Sequence, residues 1–167
     1  MIRNILILTI SILFSVSLMG QKFGYMDSNA LVAEMPEVKQ ADAKLETLQK
    51  QLQKQGQQKL QALQQKAQEL ERKERQGEIA PKKLQAEAEL LQAEQLELQQ
   101  FEQDMQRQVM QKRQELYQPI FDKVNTVIEE VAKEQDYTYI FDLSAGSILY
   151  ADESTDVTAI VRERLGI

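Results

Sequence analysis

The chain has 167 residues, with 20 basic against 26 acidic side chains, a formal net charge of -6, and no Cys, His or Trp. Without imidazole or thiolate there is no histidine base, no cysteine nucleophile, no zinc site of the usual kind and no disulfide, so the fold holds by packing alone. Aromatic content of 6%, charged content of 28% and abundant Gln suit long solvated helices better than a compact enzyme core, and the acidic balance argues against nucleic-acid binding through a basic surface.

Met1 to Gly20 reads MIRNILILTISILFSVSLMG. One basic residue (Arg3), an apolar run from Ile5 to Met19 and a small residue before a polar stretch predict a secretory signal peptide over 1–20, cleaved between Gly20 and Gln21. The alternative is an uncleaved membrane anchor, but the run falls short of the roughly 20 residues that span a bilayer comfortably.

After it, Lys22 to Met26 (KFGYM) reads as a strand, and Asp27 or Ser28 caps a brief helix through Leu31 and Val32. Pro36 suits the first turn of a helix. Leu45, Leu48 and Leu52 follow the 3-4 spacing of a coiled-coil seam, and Leu60, Leu63, Ala67 and Leu70 resume it after a phase break near Gly56. Gly77 and Pro81 mark a tight reversal, after which Leu84, Leu91, Leu98 and Met105 recur at intervals of seven. Two antiparallel arms follow, each about 60 Å long at 1.5 Å per residue. With the turn centred on Ile79, Leu60 is expected opposite Leu98, Ala67 opposite Leu91 and Leu70 opposite Ala88; past Gly56, Leu52 faces Met105 and Leu48 faces Val109. Leu63 and Leu45 are the exceptions, falling opposite Gln95 and Lys112. Pro119 interrupts the return arm, which continues through Ile120, Val124, Val127, Ile128 and Val131.

The C-terminal part is compact. Tyr137 to Asp142 reads as a strand, Ser144 to Ser147 as a turn and Ile148 to Ala151 as a second strand. Asp156 to Leu165 reads as a helix with Ser154 or Thr155 as its cap. Such short strands and so small a helix cannot bury enough apolar surface to anchor the hairpin, and their edges stay open. Several copies closing their strands into one barrel would solve both problems. The expected fold is therefore mainly α with a small β part. Residues 36–135 form a long antiparallel coiled-coil hairpin, or tentacle, and 21–35 with 136–167 form a β-barrel hub made by oligomerisation, from which the hairpin projects.

The hairpin tip carries six basic residues (Lys66, Arg72, Lys73, Arg75, Lys82, Lys83) against four acidic ones (Glu69, Glu71, Glu74, Glu78), whereas 117–167 holds four basic and ten acidic residues. A cationic tip attracts anionic clients or anionic lipid, an effect that salt weakens. Leu90, Leu96 and Met110 lie outside the seam and are candidates for client contact, alongside Gln amides that both donate and accept. Gly56 and Pro119 are the expected bending points. No phosphate loop, metal cluster or nucleophile motif appears, so no catalytic, cofactor-binding or metal site is expected and the chain does not read as an enzyme.

Three short stretches carry a resemblance: Phe23-Gly24-Tyr25-Met26-Asp27-Ser28, then Phe101-Glu102-Gln103-Asp104, then Tyr139-Ile140-Phe141-Asp142 with Tyr150-Ala151 and Asp156-Val157-Thr158. In that order, with the leader and hairpin, the chain resembles the periplasmic chaperone family Skp, also called OmpH. The resemblance implies a homotrimer, a β-barrel hub with three helical tentacles around a cavity, working without ATP as a holdase for unfolded outer-membrane proteins in the periplasm. Family members are often strongly basic, which this chain is not. The adjacent arginines of a proposed lipopolysaccharide patch are here Arg107 followed by Gln108, so that binding does not carry over. The competing reading is an exported coiled-coil structural or spacer protein without chaperone activity; its simple rod does not explain the strand–strand–helix ending.

Overall fold

The computed structural model describes residues 20–167; the expected leader, apart from Gly20, lies outside the described residues. The elements are β1 (Phe23–Met26), α1 (Ser28–Glu34), α2 (Pro36–Arg75), α3 (Pro81–Glu134), β2 (Tyr139–Asp142) and α4 (Thr158–Leu165). They divide into two compact units, one of 20–34 with 122–167 and one of 35–121. Residues 122–134 of α3 therefore belong to the first.

The unit 35–121 is the helical hairpin. Pro36 and Pro81 stand at the first positions of α2 and α3, where a missing N–H costs no helical bond. The reversal is a Schellman turn. Gly77 takes a left-handed φ of 67°, Glu78 N–H donates to Lys73 O at 2.9 Å and Gly77 N–H to Glu74 O at 3.1 Å, so the last carbonyls of α2 are satisfied.

The seam departs from the expected register beyond Gly56. Val38, Ala41, Leu45, Leu52 and Leu70 are buried, and Leu48 and Leu63 are half-buried. Leu60 remains 44% exposed, and Ala67 and Ala88 are exposed too. From Leu52 the seam takes a four-residue step to Gly56 and resumes through Lys59, Leu63, Lys66, Leu70 and Lys73. Inserting four residues into a heptad pattern is a stutter, which moves the stripe by one position around the helix. Leu63, not Leu60, thereby faces the partner arm. Cross-arm contacts follow this phase. Lys59 Nζ lies 5.6 Å from the centre of the Phe101 ring. Lys66 Nζ meets Glu94 Oε1 at 2.5 Å, two residues beyond the Gln92 that the expected register puts opposite it. Apolar layers alternate with charged ones towards the tip.

In the other unit β1 and β2 are parallel, pairing Phe23 with Tyr139, Gly24 with Ile140, Tyr25 with Phe141 and Met26 with Asp142. The first and third of the stretches that carry the resemblance thus contain partner strands, joined through the whole hairpin. A further bridge ties Tyr25 to Asp156, and Val157 N–H donates to Tyr25 O at 2.9 Å. The core is Met26, Leu31, Val124, Val127, Val131, Val157, Val161 and Leu165. Gly24 is required by close approach: a Cβ there would sit 3.0 Å from the Tyr137 ring and 3.1 Å from Val157.

Asp27 caps α1 by accepting from Ala30 N–H at 2.9 Å. The cap of α4 differs from expectation. Asp156, not Ser154 or Thr155, accepts from the first-turn Thr158 N–H, at 2.8 Å, because 153–155 form their own 3₁₀ turn capped by Asp152. The expected strand at Ile148 to Ala151 does not form; Leu149 is 99% exposed, with no neighbouring strand to pair with among the described residues. Among the described residues the sheet has two strands and does not close into a barrel.

Candidate functional site

A groove of about 650 Å³ runs between the hairpin arms. Leu45, Gln49 and Gln53 of α2 face Met105, Gln106, Val109 and Met110 of α3 across it, with Asp42, Glu46 and Arg113 at the rim. A second groove of about 480 Å³ continues along α3, sharing Met110 and Arg113 and adding Gln114, Tyr117, Gln118 and Phe121. Residues 110, 113–114, 117–118 and 121 recur every three or four positions, so they form one stripe along the helix. Met110 is 69% exposed and Phe121 44% exposed. The Tyr117 and Phe121 rings lie 5.9 Å apart at 40°. Tyr117 Oη donates to Asp42 Oδ1 at 2.5 Å, which fixes the ring against α2. That hydrogen bond, helped by burial, holds the Tyr117 phenol above its usual range, so it stays protonated and keeps donating.

A second apolar surface lies in the strand-bearing unit. Phe23, Tyr139 and Phe141 point to one face of the sheet, with ring centres 5.9–6.1 Å apart, and they are 43%, 56% and 45% exposed. Beside them, Ile148 and Tyr150 line a shallow groove with Phe23 and Phe141. The outer edge of β2 has no strand against it among the described residues. The opposite face is held by Asp142. Its Oδ1 accepts from the N–H groups of Ser28 (3.1 Å) and Ser144 (3.0 Å), and its Oδ2 from their hydroxyls (2.5 and 2.7 Å). Burial pushes this carboxyl up, but the bonds from Ser28 and Ser144 together outweigh it and hold it below the usual range. Two arginine forks lock α4: Arg162 onto Glu34, both bonds 2.9 Å, and Arg164 onto Glu134, at 3.0 and 2.6 Å.

The residues singled out from sequence are dispersed over the hairpin. Leu90 and Leu96 are exposed on α3 towards the tip, and Leu90 lines a small groove with Leu70 and Leu91. Only Met110 among the three joins the large groove. Gly56 sits within unbroken α2, where an added Cβ would lie 3.5 Å from the Phe101 ring, and α3 passes through Pro119 without a break. At the tip, Lys66, Arg72, Lys73, Arg75 and Lys83 are paired with Glu94, Glu78, Glu69, Glu71 and Glu87. Lys82 is exposed. The cationic field at the tip is therefore largely neutralised locally. Tyr117, Phe121 and the aromatic face were missed; the i, i+4, i+7 recurrence from Met110 was the available signal for the stripe.

No group of three or more acidic side chains among the described residues is placed to hold a metal ion. The family model described as outer membrane protein (OmpH-like) matches residues 22–165. The chain belongs to the OmpH-like family. A crystal structure from Caulobacter crescentus CB15, of a proposed outer membrane chaperone (OmpH-like), matches with a TM-score of 0.74 and 25% identity, over 87% of this chain and 84% of that one. No curated protein matches the chain.

Proposed function

We propose that this protein is an ATP-independent periplasmic holdase, which keeps unfolded outer-membrane proteins from aggregating within the space its hairpins enclose. The observation that carries the reading is the family match across nearly the whole chain, 22–165. Unfolded β-barrel precursors expose alternating apolar residues and unpaired backbone groups. A long hairpin with apolar and amide-bearing grooves holds such a chain by many weak, exchangeable contacts.

The working form is a homo-oligomer, and a trimer is what the resemblance implies. Exposed Phe23, Tyr139 and Phe141 on a two-stranded sheet with an open edge support it. Another copy's strand would cover both the edge and the rings, and 148–151 is the segment free to supply it. The local pairing of the tip cations removes the main support for anionic lipid as a partner.

The test is sizing of the exported protein with and without a urea-unfolded outer-membrane β-barrel protein, while turbidity is followed. An oligomer that takes up the client and suppresses turbidity is expected. A monomer that leaves turbidity unchanged refutes the reading and favours a structural spacer.

A further inference from the structure

We propose that the stripe on α3 from Met110 to Phe121, with the groove it opens into, seats an extended, uncharged segment of an unfolded polypeptide. The inference rests on the holdase reading and names the surface that does the holding. Three observations select this occupant.

The first is spacing. Along α3, Met110 to Tyr117 is about 10.5 Å and Tyr117 to Phe121 about 6 Å. Same-face side chains of an extended strand repeat every ~6.8 Å. The stripe is therefore long enough for about three successive same-face side chains of a strand. Tyr117 is braced by its bond to Asp42, so the platform is rigid where its two neighbours are exposed.

The second is polar chemistry. Gln49, Gln53 and Gln106 line the groove and Gln114 borders the stripe. An amide side chain donates and accepts, which matches the unpaired N–H and C=O groups of an extended backbone. A folded or helical partner has already spent those groups internally.

The third is charge. The rim carries Asp42 and Glu46 against Arg113, a small negative excess. That disfavours a phosphate-bearing head group, which needs clustered cations. A second copy of this chain is the remaining rival, and the stripe, with a few exposed apolar side chains, is small for a standing interface.

The experiment uses the full exported protein carrying a photo-cross-linking residue at position 121, 110 or, as a control, 96. The probe is a urea-unfolded outer-membrane β-barrel protein, diluted into buffer with each. Cross-links to the probe are expected at 121 and 110, and few at 96. A Met110→Ser/Phe121→Ser variant should keep its helicity, because both side chains are exposed, yet bind the probe at least about tenfold more weakly. Vesicles of anionic lipid should not compete. Wild-type protein that binds the probe with the same affinity as the variant, or cross-links best at 96, overturns this assignment and leaves the holdase reading standing. Cross-linking of 121 to a second copy without probe, or competition by the vesicles, overturns it in favour of those occupants. A wild-type protein that binds no probe overturns the holdase reading itself.

Discussion

Removing the Asp142 carboxylate should weaken the strand-bearing unit more than its position on a short strand suggests. This one side chain joins the end of β2 to the first turn of α1, accepting both backbone N–H groups at Oδ1 and both hydroxyls at Oδ2. In Asp142→Ala the hydroxyls can turn to water, but the Ser28 N–H loses a charged acceptor in a partly buried place and the Ser144 N–H loses one at the surface. Hydrogen bonds to charged groups contribute about 1.5–3 kcal/mol each, and water recovers part of the loss, so a net cost of about 2–4 kcal/mol is expected. Asp142→Asn keeps one carbonyl oxygen for the two N–H groups, and the hydroxyls can rotate to accept from its amide, so its cost should be about 1 kcal/mol. Urea unfolding at a fixed protomer concentration is the assay, since assembly adds to apparent stability by mass action. An alanine variant within about 0.5 kcal/mol of wild type, the scatter of ordinary surface changes, would refute the reasoning. So would an asparagine variant as damaged as the alanine one.

Acid should loosen the same unit. The carboxyls of Glu34 and Glu134 are held below the usual range chiefly by hydrogen bonds from Arg162 and Arg164, and Asp142 also lies low. A depressed folded pKa means stability that is complete above the unfolded value of about 4 and is lost as pH falls through the folded value. The urea midpoint should therefore drop as the pH falls below about 4, and an Arg162→Met/Arg164→Met variant should lose much of that drop. Gly24→Ala should cost about 1–3 kcal/mol by overpacking, read from thermal unfolding, because its new methyl lies 3.0 Å from the Tyr137 ring. Gly77→Ala meets open space and should cost only the left-handed backbone penalty, about 1–2 kcal/mol. Pro119→Ala should narrow the spread of hairpin positions in solution scattering if the proline lets the arm bend; an unchanged profile removes that role.

Much of the helical architecture was legible in the chain itself. Pro36, Gly77 and Pro81 act through backbone chemistry that needs no distant partner, so they place the ends of α2 and the start of α3 wherever they occur. The seven-residue recurrence of Leu84, Leu91 and Leu98 likewise depends only on helical period, and all three are half-buried in the seam. Other features required the fold. Whether Leu60 or Leu63 faces the partner arm is decided by the step at Gly56, where both readings satisfy the local period and only the match with Phe101, Leu98 and Glu94 chooses. The parallel pairing of Phe23–Met26 with Tyr139–Asp142 joins residues more than a hundred positions apart, and the Asp142–Ser28 tie and the arginine forks follow from it. The Ile148 to Ala151 stretch has strand-forming residues but no strand beside it among the described residues, and it is irregular there. Periodicity is a property of consecutive residues and travels with the sequence. Register, pairing and exposure are properties of what lies opposite, and three-dimensional packing alone supplies that.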